Sequence, residues 1–421
     1  MPPQAIAIAV LSGLGLVASL VATLAVAALA GSPARSDAWL VALAVPQFLI
    51  GATQTGLITA AMPEIAGETT DVQSGRARLL GIAIGLVSLV VALALALTAG
   101  AWMRALAPGL DGISQELAAG ITRQALCALP FAALSVLLGI AGTSRGQALA
   151  VEAKGALAAA VFVVALGVLL GRGLLEHAGW AFALRYALNA ALLLPLLRGA
   201  AAVPDGTARL RGAAGRFVGF FGFAAIYQSA VIVDRFLLSF ADPGAVTRFA
   251  ITSGIVLALA SVLEKGLITP GLPALFDRAK RADWPGFTAA RRRLLRLGGA
   301  AGVGAFVLLA LGGAALLAVA GSALPALTGH EAELALLAAM LAPCLVAIPA
   351  GSVLSAAANA LGRAGQLLRV VVLAFAAALV VRVAGFALLD PLGLGAVGVA
   401  LGGSTFFVLA VPLLARLGRV P

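Results

Sequence analysis

The sequence predicts an all-α polytopic membrane protein, with about twelve transmembrane helices in two six-helix lobes related by a pseudo-two-fold axis along the membrane normal. Three observations carry that expectation. Of 421 residues, 62% are hydrophobic and only 11% charged, whereas a soluble domain carries about 25% charged residues. The apolar residues fall in unbroken runs long enough to span a bilayer, for which about 20 residues suffice. A short motif with its flanking features also recurs at half the chain length.

The first run, residues 5–30, holds no ionisable side chain. As a helix it is roughly 39 Å long, so it crosses a hydrocarbon core of about 30 Å with tilt. Ala28-Leu29-Ala30 resembles a signal-peptidase site, but residues 1–4 lack Lys and Arg, and the run is read as a retained helix. The second span, 37–62, carries Pro46, and the fourth, 118–142, carries Pro130. The third covers 78–103, the fifth 151–171 and the sixth 178–198. In the second half, spans are predicted at 217–240, 245–272, 297–320, 332–358, 367–389 and 393–415. The tenth contains Pro343 and Pro349. Prolines inside membrane helices are tolerated because neighbouring helices re-satisfy the freed carbonyls. The 50 glycines allow close helix approach.

The formal charge of +11 would suggest nucleic acid in a soluble protein. Here the basic residues concentrate between spans, so nucleic-acid binding is excluded in favour of topology. With the N-terminus inside, inner connections and tail hold nineteen of the 28 Lys and Arg, and outer connections hold Arg35, Arg104 and Arg172. That asymmetry places both termini in the cytoplasm. Cys127 and Cys344 each sit in an apolar run, so no disulfide framework is indicated.

The repeat reads Gly56-Leu57-Ile58-Thr59 at the end of the second span and Gly266-Leu267-Ile268-Thr269 at the end of the eighth, 210 residues on. Ser144-Arg145-Gly146-Gln147 after the fourth span has its counterpart in Gly362-Arg363-Ala364-Gly365-Gln366 after the tenth. Six spans separate the copies, so both have the same orientation, a pattern found in transporters. The organisation is therefore an N-terminal six-helix lobe over 1–198, a cytoplasmic linker over 199–216 and a C-terminal lobe over 217–421.

An ionisable group in a span costs at least about 2.5 kcal/mol at the bilayer centre, so it should face a cavity or a partner. The candidates are Arg123, Arg185, Asp234, Arg235, Arg248, Glu264, Lys265 and Arg382, an excess of cations that suits an anionic ligand. Glu264 and Lys265 precede the repeated motif, and their counterparts are the polar Gln54 and Thr55; matched polar positions favour a cavity lining. Asp234 and Arg235 are adjacent and do not face each other, so they need separate partners, and each is read as pairing structurally with another helix. Arg248 is read as an interfacial anchor. Asn189 is either cavity lining or interhelical hydrogen-bond glue. His177 and His330 lack metal-ligand spacing, and no phosphate loop or Cys/His cluster occurs; neither an enzyme site nor a cofactor is expected.

Several stretches are similar to a known family. Asp37-Ala38-Trp39-Leu40-Val41-Ala42-Leu43-Ala44-Val45-Pro46, preceded by Gly31, resembles the second-helix signature of MviN/MurJ-type lipid II flippases, as does Ala107-Pro108-Gly109. The strongest likeness runs from Val233-Asp234-Arg235 through Ala241-Asp242-Pro243-Gly244 and Leu272-Pro273 to Asp283-Trp284-Pro285-Gly286-Phe287. Where the family pattern carries first-helix charges, this chain has Leu16, Ala22 and Thr23, and the eighth-helix arginine falls near Gly254. Lipid II flippases also resemble fourteen-helix proteins, against about twelve spans read here. The resemblance implies the multidrug/oligosaccharidyl-lipid/polysaccharide exporter superfamily, a bacterial inner membrane location and alternating access. The expected activity is movement of a polyprenyl-diphosphate-linked saccharide, lipid II or an exopolysaccharide repeat unit, from inner to outer leaflet. Its partners would be that lipid-linked oligosaccharide, the bilayer and polymer-assembly enzymes. An ion-coupled drug exporter, or an inactive scaffold of an envelope-polymer assembly, is the alternative.

Overall fold

A computed structural model of the chain describes residues 3–65, 70–197, 206–323 and 329–417. Residues 198–205, where the predicted linker begins, lie outside the described residues. The helices are α1 (Pro3–Leu29), α2 (Pro33–Ala42), α3 (Ala44–Ile65), α4 (Thr70–Leu97), α5 (Ala99–Leu106), α6 (Gly112–Leu126), α7 (Ala128–Ser144), α8 (Ala148–Gly171) and α9 (Ala178–Leu193). They continue with α10 (Gly206–Leu238), α11 (Ala245–Leu263), α12 (Leu272–Lys280), α13 (Trp284–Ala323), α14 (Glu331–Leu341), α15 (Cys344–Ala360), α16 (Ala364–Leu389) and α17 (Gly395–Leu417). No strand occurs among the described residues.

Among the described residues ten helical segments are long and apolar enough to cross a membrane, each at a position the hydropathy predicts. The seventh and ninth predicted spans coincide with α10 and α13, which at 33 and 40 residues are the longest helices among the described residues. Both begin earlier than expected, at 206 and 284 instead of 217 and 297. Hydropathy falls at the membrane boundary, but Arg, Ala and Leu remain good helix formers, so the helix runs on into water. Arg209, Arg211 and Arg216, and Arg291 to Arg296, are therefore helical residues and not loop residues. Large apolar side chains such as Leu86, Val87, Val90, Leu93, Leu308 and Val380 are exposed, an arrangement stable only against lipid.

The prolines break three spans into paired helices: α2/α3 at Leu43, α6/α7 at Cys127, and α14/α15 at Ala342-Pro343. Pro46 cannot donate to the carbonyl four residues back, that of Ala42. The Thr122 hydroxyl from α6 donates to that oxygen at 2.9 Å, so a side chain replaces the missing backbone donor. In α15, Pro349 likewise frees the Leu345 carbonyl. Gly302 of α13 faces that oxygen, where a β-carbon would stand 2.6 Å away, so only glycine admits this approach.

Packing separates two compact units, Leu29–Phe240 and Met1–Ala28 with Ala241–Pro421. Among the described residues each holds five of the ten membrane-length segments, together with α10 in the first and α13 in the second. In the first, α3 lies along α10, with Gly56 against the Phe217 ring and the Phe221 backbone. Leu57, Leu80, Leu137 and Ile140 form a buried cluster beside it. In the second, α1 packs on α11 through Gly13 against Val262 and Leu20 against Gly254. Ile268, Leu275, Phe287, Leu294 and Val353 join α12, α13 and α15. Each unit thus takes the opening helix that the chain order would give to the other half.

The repeat legible in the sequence has structural counterparts. Arg145 Nη1 donates to the Leu196 carbonyl at 2.9 Å, and Arg363 Nη1 donates to the Leu417 carbonyl at 2.6 Å. Each arginine follows its unit's proline-broken helix pair and caps the carbonyl end of the helix closing its half, where a cation is favoured. α8 and α16 also end alike. Gly173 and Gly393 take left-handed φ of 72° and 71°, and the next residue, Leu174 or Leu394, donates back to Leu169 or Leu389.

Asp111 caps α6 by accepting from the Ser114 backbone N–H at 2.6 Å. That bond, with a second from the Ser114 side chain, holds the exposed Asp111 carboxyl below its ordinary 3.8. The cap's stabilisation is therefore complete above the unfolded value of 3.8 and is lost as pH falls through the lower folded value. Asp111→Ala should cost about 1 kcal/mol at neutral pH. The loss, read by thermal unfolding in detergent, should vanish in strong acid.

Candidate functional site

The in-span charges of the unit formed by Met1–Ala28 and Ala241–Pro421 fall into separate groups. At the start of α11, Arg248 Nε lies 2.7 Å from Glu333 Oε2 of α14, and both side chains are buried. His330 Nδ1 stands 3.2 Å from the same oxygen. Glu333 occupies the first turn of α14, where the helix dipole favours a carboxylate. Arg248, read from sequence as an interfacial anchor, is instead one half of a buried ion pair.

Glu264 and Lys265 begin one π-helical turn, Glu264–Ile268, that closes α11. Such turns widen a helix by one residue and cluster at functional positions. Here the widening is followed directly by Pro270, which cannot continue an α-helical hydrogen-bond ladder. The Ser352 hydroxyl of α15 donates to Glu264 Oε1. Lys265, beside it, is exposed and has no ion-pair partner among the described residues. Sixteen residues, roughly 24 Å of helical rise, separate Arg248 from Glu264, so these candidates do not share a site.

Arg382 is buried in the middle of α16. Gly402 of α17 seats directly on its backbone and Cγ, and Gly403 faces its Nη2. Its charge acts on Cys344, at the start of α15. An arginine at this depth fits because Gly402 carries no side chain in the space that its backbone and Cγ occupy.

In the unit Leu29–Phe240, Arg235 of α10 is buried. The carboxylates acting on its guanidinium are Asp234 and, from α2, the buried Asp37. Arg185 of α9 stacks over the rings of Phe162 and Tyr186 at 5.8 and 5.7 Å. One turn on, Asn189 Oδ1 is buried and accepts no hydrogen bond among the described residues. Arg123 is exposed on α6, with Nη2 beside Gly100, and Gln124 donates to the Glu176 carbonyl at 2.8 Å. Gln54 is half-buried on α3, one turn beyond Gly51, against which Gln228 packs.

Three participants are not among the in-span candidates of the sequence: Glu333, Ser352 and Asp37. Glu333 lies one residue inside the predicted tenth span, so an acid at a span edge was the available signal. Asp37 stood at the edge of the second span in the same way. Ser352 had none, because a serine 88 residues from its carboxylate partner looks like any other small membrane-helix residue.

A family model described as lipid II flippase MurJ matches residues 26–324, more than two-thirds of the chain. No curated protein matches in sequence. Among solved structures, one described as lipid II flippase MurJ in an inward closed conformation superposes with a TM-score of 0.75 at 13% identity, covering 98% of this chain and 88% of that one. An inward-facing multidrug resistance MATE family transporter of the MOP superfamily gives 0.74 at 14% identity, covering 96% and 93%. A MOP superfamily transporter from Pyrococcus furiosus gives 0.65 at 13% identity, covering 99% and 96%.

Proposed function

This chain belongs to the lipid II flippase MurJ family, and from that premise we propose that it moves a polyprenyl-diphosphate-linked saccharide from the inner to the outer leaflet by alternating access. We place it in a bacterial inner membrane with both termini in the cytoplasm, as the distribution of Lys and Arg between connections supports. The two repeats, 1–198 and 217–421, act on this reading as the halves of the transport cycle. The observation that carries the proposal is the family match over residues 26–324.

The substrate's diphosphate needs cations in a low-dielectric setting, and the in-span set supplies them unequally. Arg248 is engaged by Glu333 and Arg185 by aromatic rings. Lys265 and Arg123 are exposed on the protein surface and are free to meet a phosphate. We assign Lys265 the leading role, with Glu264, held by Ser352, fixing the π turn that presents it. Gln54, the counterpart of Glu264 in the other repeat, is a neutral hydrogen-bonding side chain. Outward movement of one net negative charge is favoured by about 2.3 kcal/mol per 100 mV when the interior is negative.

Vesicles reconstituted with the protein should expose fluorescent polyprenyl-linked sugar to an external quencher faster than empty vesicles, and equal rates would refute the flippase. Lys265→Gln should slow exposure roughly tenfold or more, since a charge-assisted hydrogen bond contributes about 1.5–3 kcal/mol. It should leave unfolding temperature unchanged, because the side chain is exposed. A scaffold would tolerate the change together with Arg123→Gln. The second reading, an ion-coupled drug exporter, is favoured by the MATE transporter likeness and by an in-span carboxylate, Glu264. It requires dye efflux driven by a proton or sodium gradient and abolished by Glu264→Gln.

A further inference from the structure

The connection between α11 and α13 has a surface that the transport reading leaves unused. α12 is fastened along one side by Leu272, Leu275 and Ala279, which pack with Phe287, Ala290 and Leu294 of α13 and Val353 and Ala357 of α15. Arg278 donates to the Gly286 carbonyl, and Asp283 Oδ1 accepts from the Gly286 N–H at 2.9 Å, fixing the start of α13. The outer side of this rigid corner is basic and aromatic. Lys280, Arg281, Arg292, Arg293 and Arg296 are exposed and have no ion-pair partner among the described residues. Phe276 and Trp284 are each 37% exposed beside them.

Topology alone does not require so much charge. Residues 273–296 carry seven cations against the carboxylates Asp277 and Asp283. The equivalent stretch of the other repeat, 63–86, carries Arg76 and Arg78 against Glu64, Glu68 and Asp71. Two segments at the same level of the repeat thus differ in sign, although both lie on the same side of the membrane if the repeat is parallel. The charge on the second is therefore specific to α12 and the start of α13. Unpaired cations alongside an indole and a phenyl ring, on a helix at the end of membrane spans, suit the anionic headgroup layer. There each Lys or Arg is attracted to acidic lipid and aromatic rings sit at headgroup level.

We propose that the outer side of α12 and the first turns of α13 form a binding surface for anionic phospholipid headgroups. Lys280, Arg281, Arg292, Arg293 and Arg296 hold phosphates, while Phe276 and Trp284 insert at the level of the glycerol backbone. The surface is independent of the transported lipid and holds whether or not the chain is a flippase.

The test uses the full chain purified in a neutral detergent and titrated with phosphatidylglycerol or phosphatidylcholine. The readout is the part of the tryptophan emission change that is lost in Trp284→Phe. Phosphatidylglycerol should act at a lower mole fraction than phosphatidylcholine, with an advantage that shrinks by roughly fivefold for each cation removed and falls in high salt. R292Q/R293Q/R296Q should lose the advantage and R292K/R293K/R296K should retain it, both remaining monodisperse in size exclusion. An equal response of the native chain to the two lipids would overturn the proposal and leave the cations a purely topological role. So would saturation of the same signal by free inorganic diphosphate at concentrations where phosphatidylglycerol has no effect, which would mark a soluble-phosphate site. A glutamine variant that keeps the lipid preference would overturn it as well.

Discussion

Glu333→Ala should destabilise the protein by about 3–5 kcal/mol, the usual cost of leaving one buried charge without its partner. Arg248 and Glu333 are 4% and 7% exposed and meet at 2.7 Å. Removal of the carboxylate leaves a guanidinium in a setting that cannot solvate it, and His330 Nδ1 loses its acceptor at 3.2 Å. The α14 N-terminus also loses a first-turn acid, adding a few tenths of a kcal/mol. Removing both charges together is predicted to hurt less than removing either, because desolvation of an ion pair consumes most of its Coulombic gain. Arg248→Met combined with Glu333→Leu should therefore recover much of the single-variant loss when unfolding is followed by temperature in detergent. Equal losses for the single and double variants would mean that the pair holds α11 to α14 by shape and not by charge. His330→Ala, at a side chain 43% exposed, should fall within about 1 kcal/mol of the native protein.

That pair also marks where the sequence stops being legible. Long apolar runs locate helices because hydrocarbon thickness sets a length that composition must meet, and all twelve predicted spans have helices at their positions. The repeat was legible because Gly-Leu-Ile-Thr and the arginine turns keep their spacing, and the arginines turn out to cap equivalent carbonyls. The partners of the charges were not legible. Arg248 finds Glu333 at a separation of 85 residues and Glu264 finds Ser352 at 88, and no local periodicity encodes such distances. The starts of α10 and α13 lie upstream of their hydropathy boundaries because hydropathy reports where lipid ends, not where backbone hydrogen bonding ends. The π turn was invisible for a related reason: its cause is the meeting of α11, Pro270 and α15, not any one residue's propensity.

Gly398→Ala should be the most damaging single-methyl change in the crossing of α16 and α17, and its sign runs against helix propensity. Alanine is favoured over glycine within a helix by about 1 kcal/mol, so a glycine that merely sits there should be improved by the change. At Gly398 the new β-carbon would collide with the carbonyl group of Gly385 on α16. The reverse is also tight, since a β-carbon at Gly385 would stand 2.9 Å from the Gly398 oxygen. Both sides of the contact are backbone, which cannot swing away as a side-chain end could. The helices must separate, and overpacking of this kind costs about 1–3 kcal/mol, which exceeds the propensity gain. The effect should reach beyond the crossing, because Gly402 one turn on rests on Arg382, and prying the helices apart admits water to a guanidinium that is 4% exposed. Gly403→Ala is the matched control. Its nearest neighbours, Arg382 Nη2 and a Leu341 methyl, would lie 3.7 and 3.8 Å from the added carbon, an ordinary contact, so propensity prevails and stability should hold or rise. Unfolding temperatures that drop for Gly403→Ala as much as for Gly398→Ala would show that glycine flexibility, and not close approach, is what α17 requires.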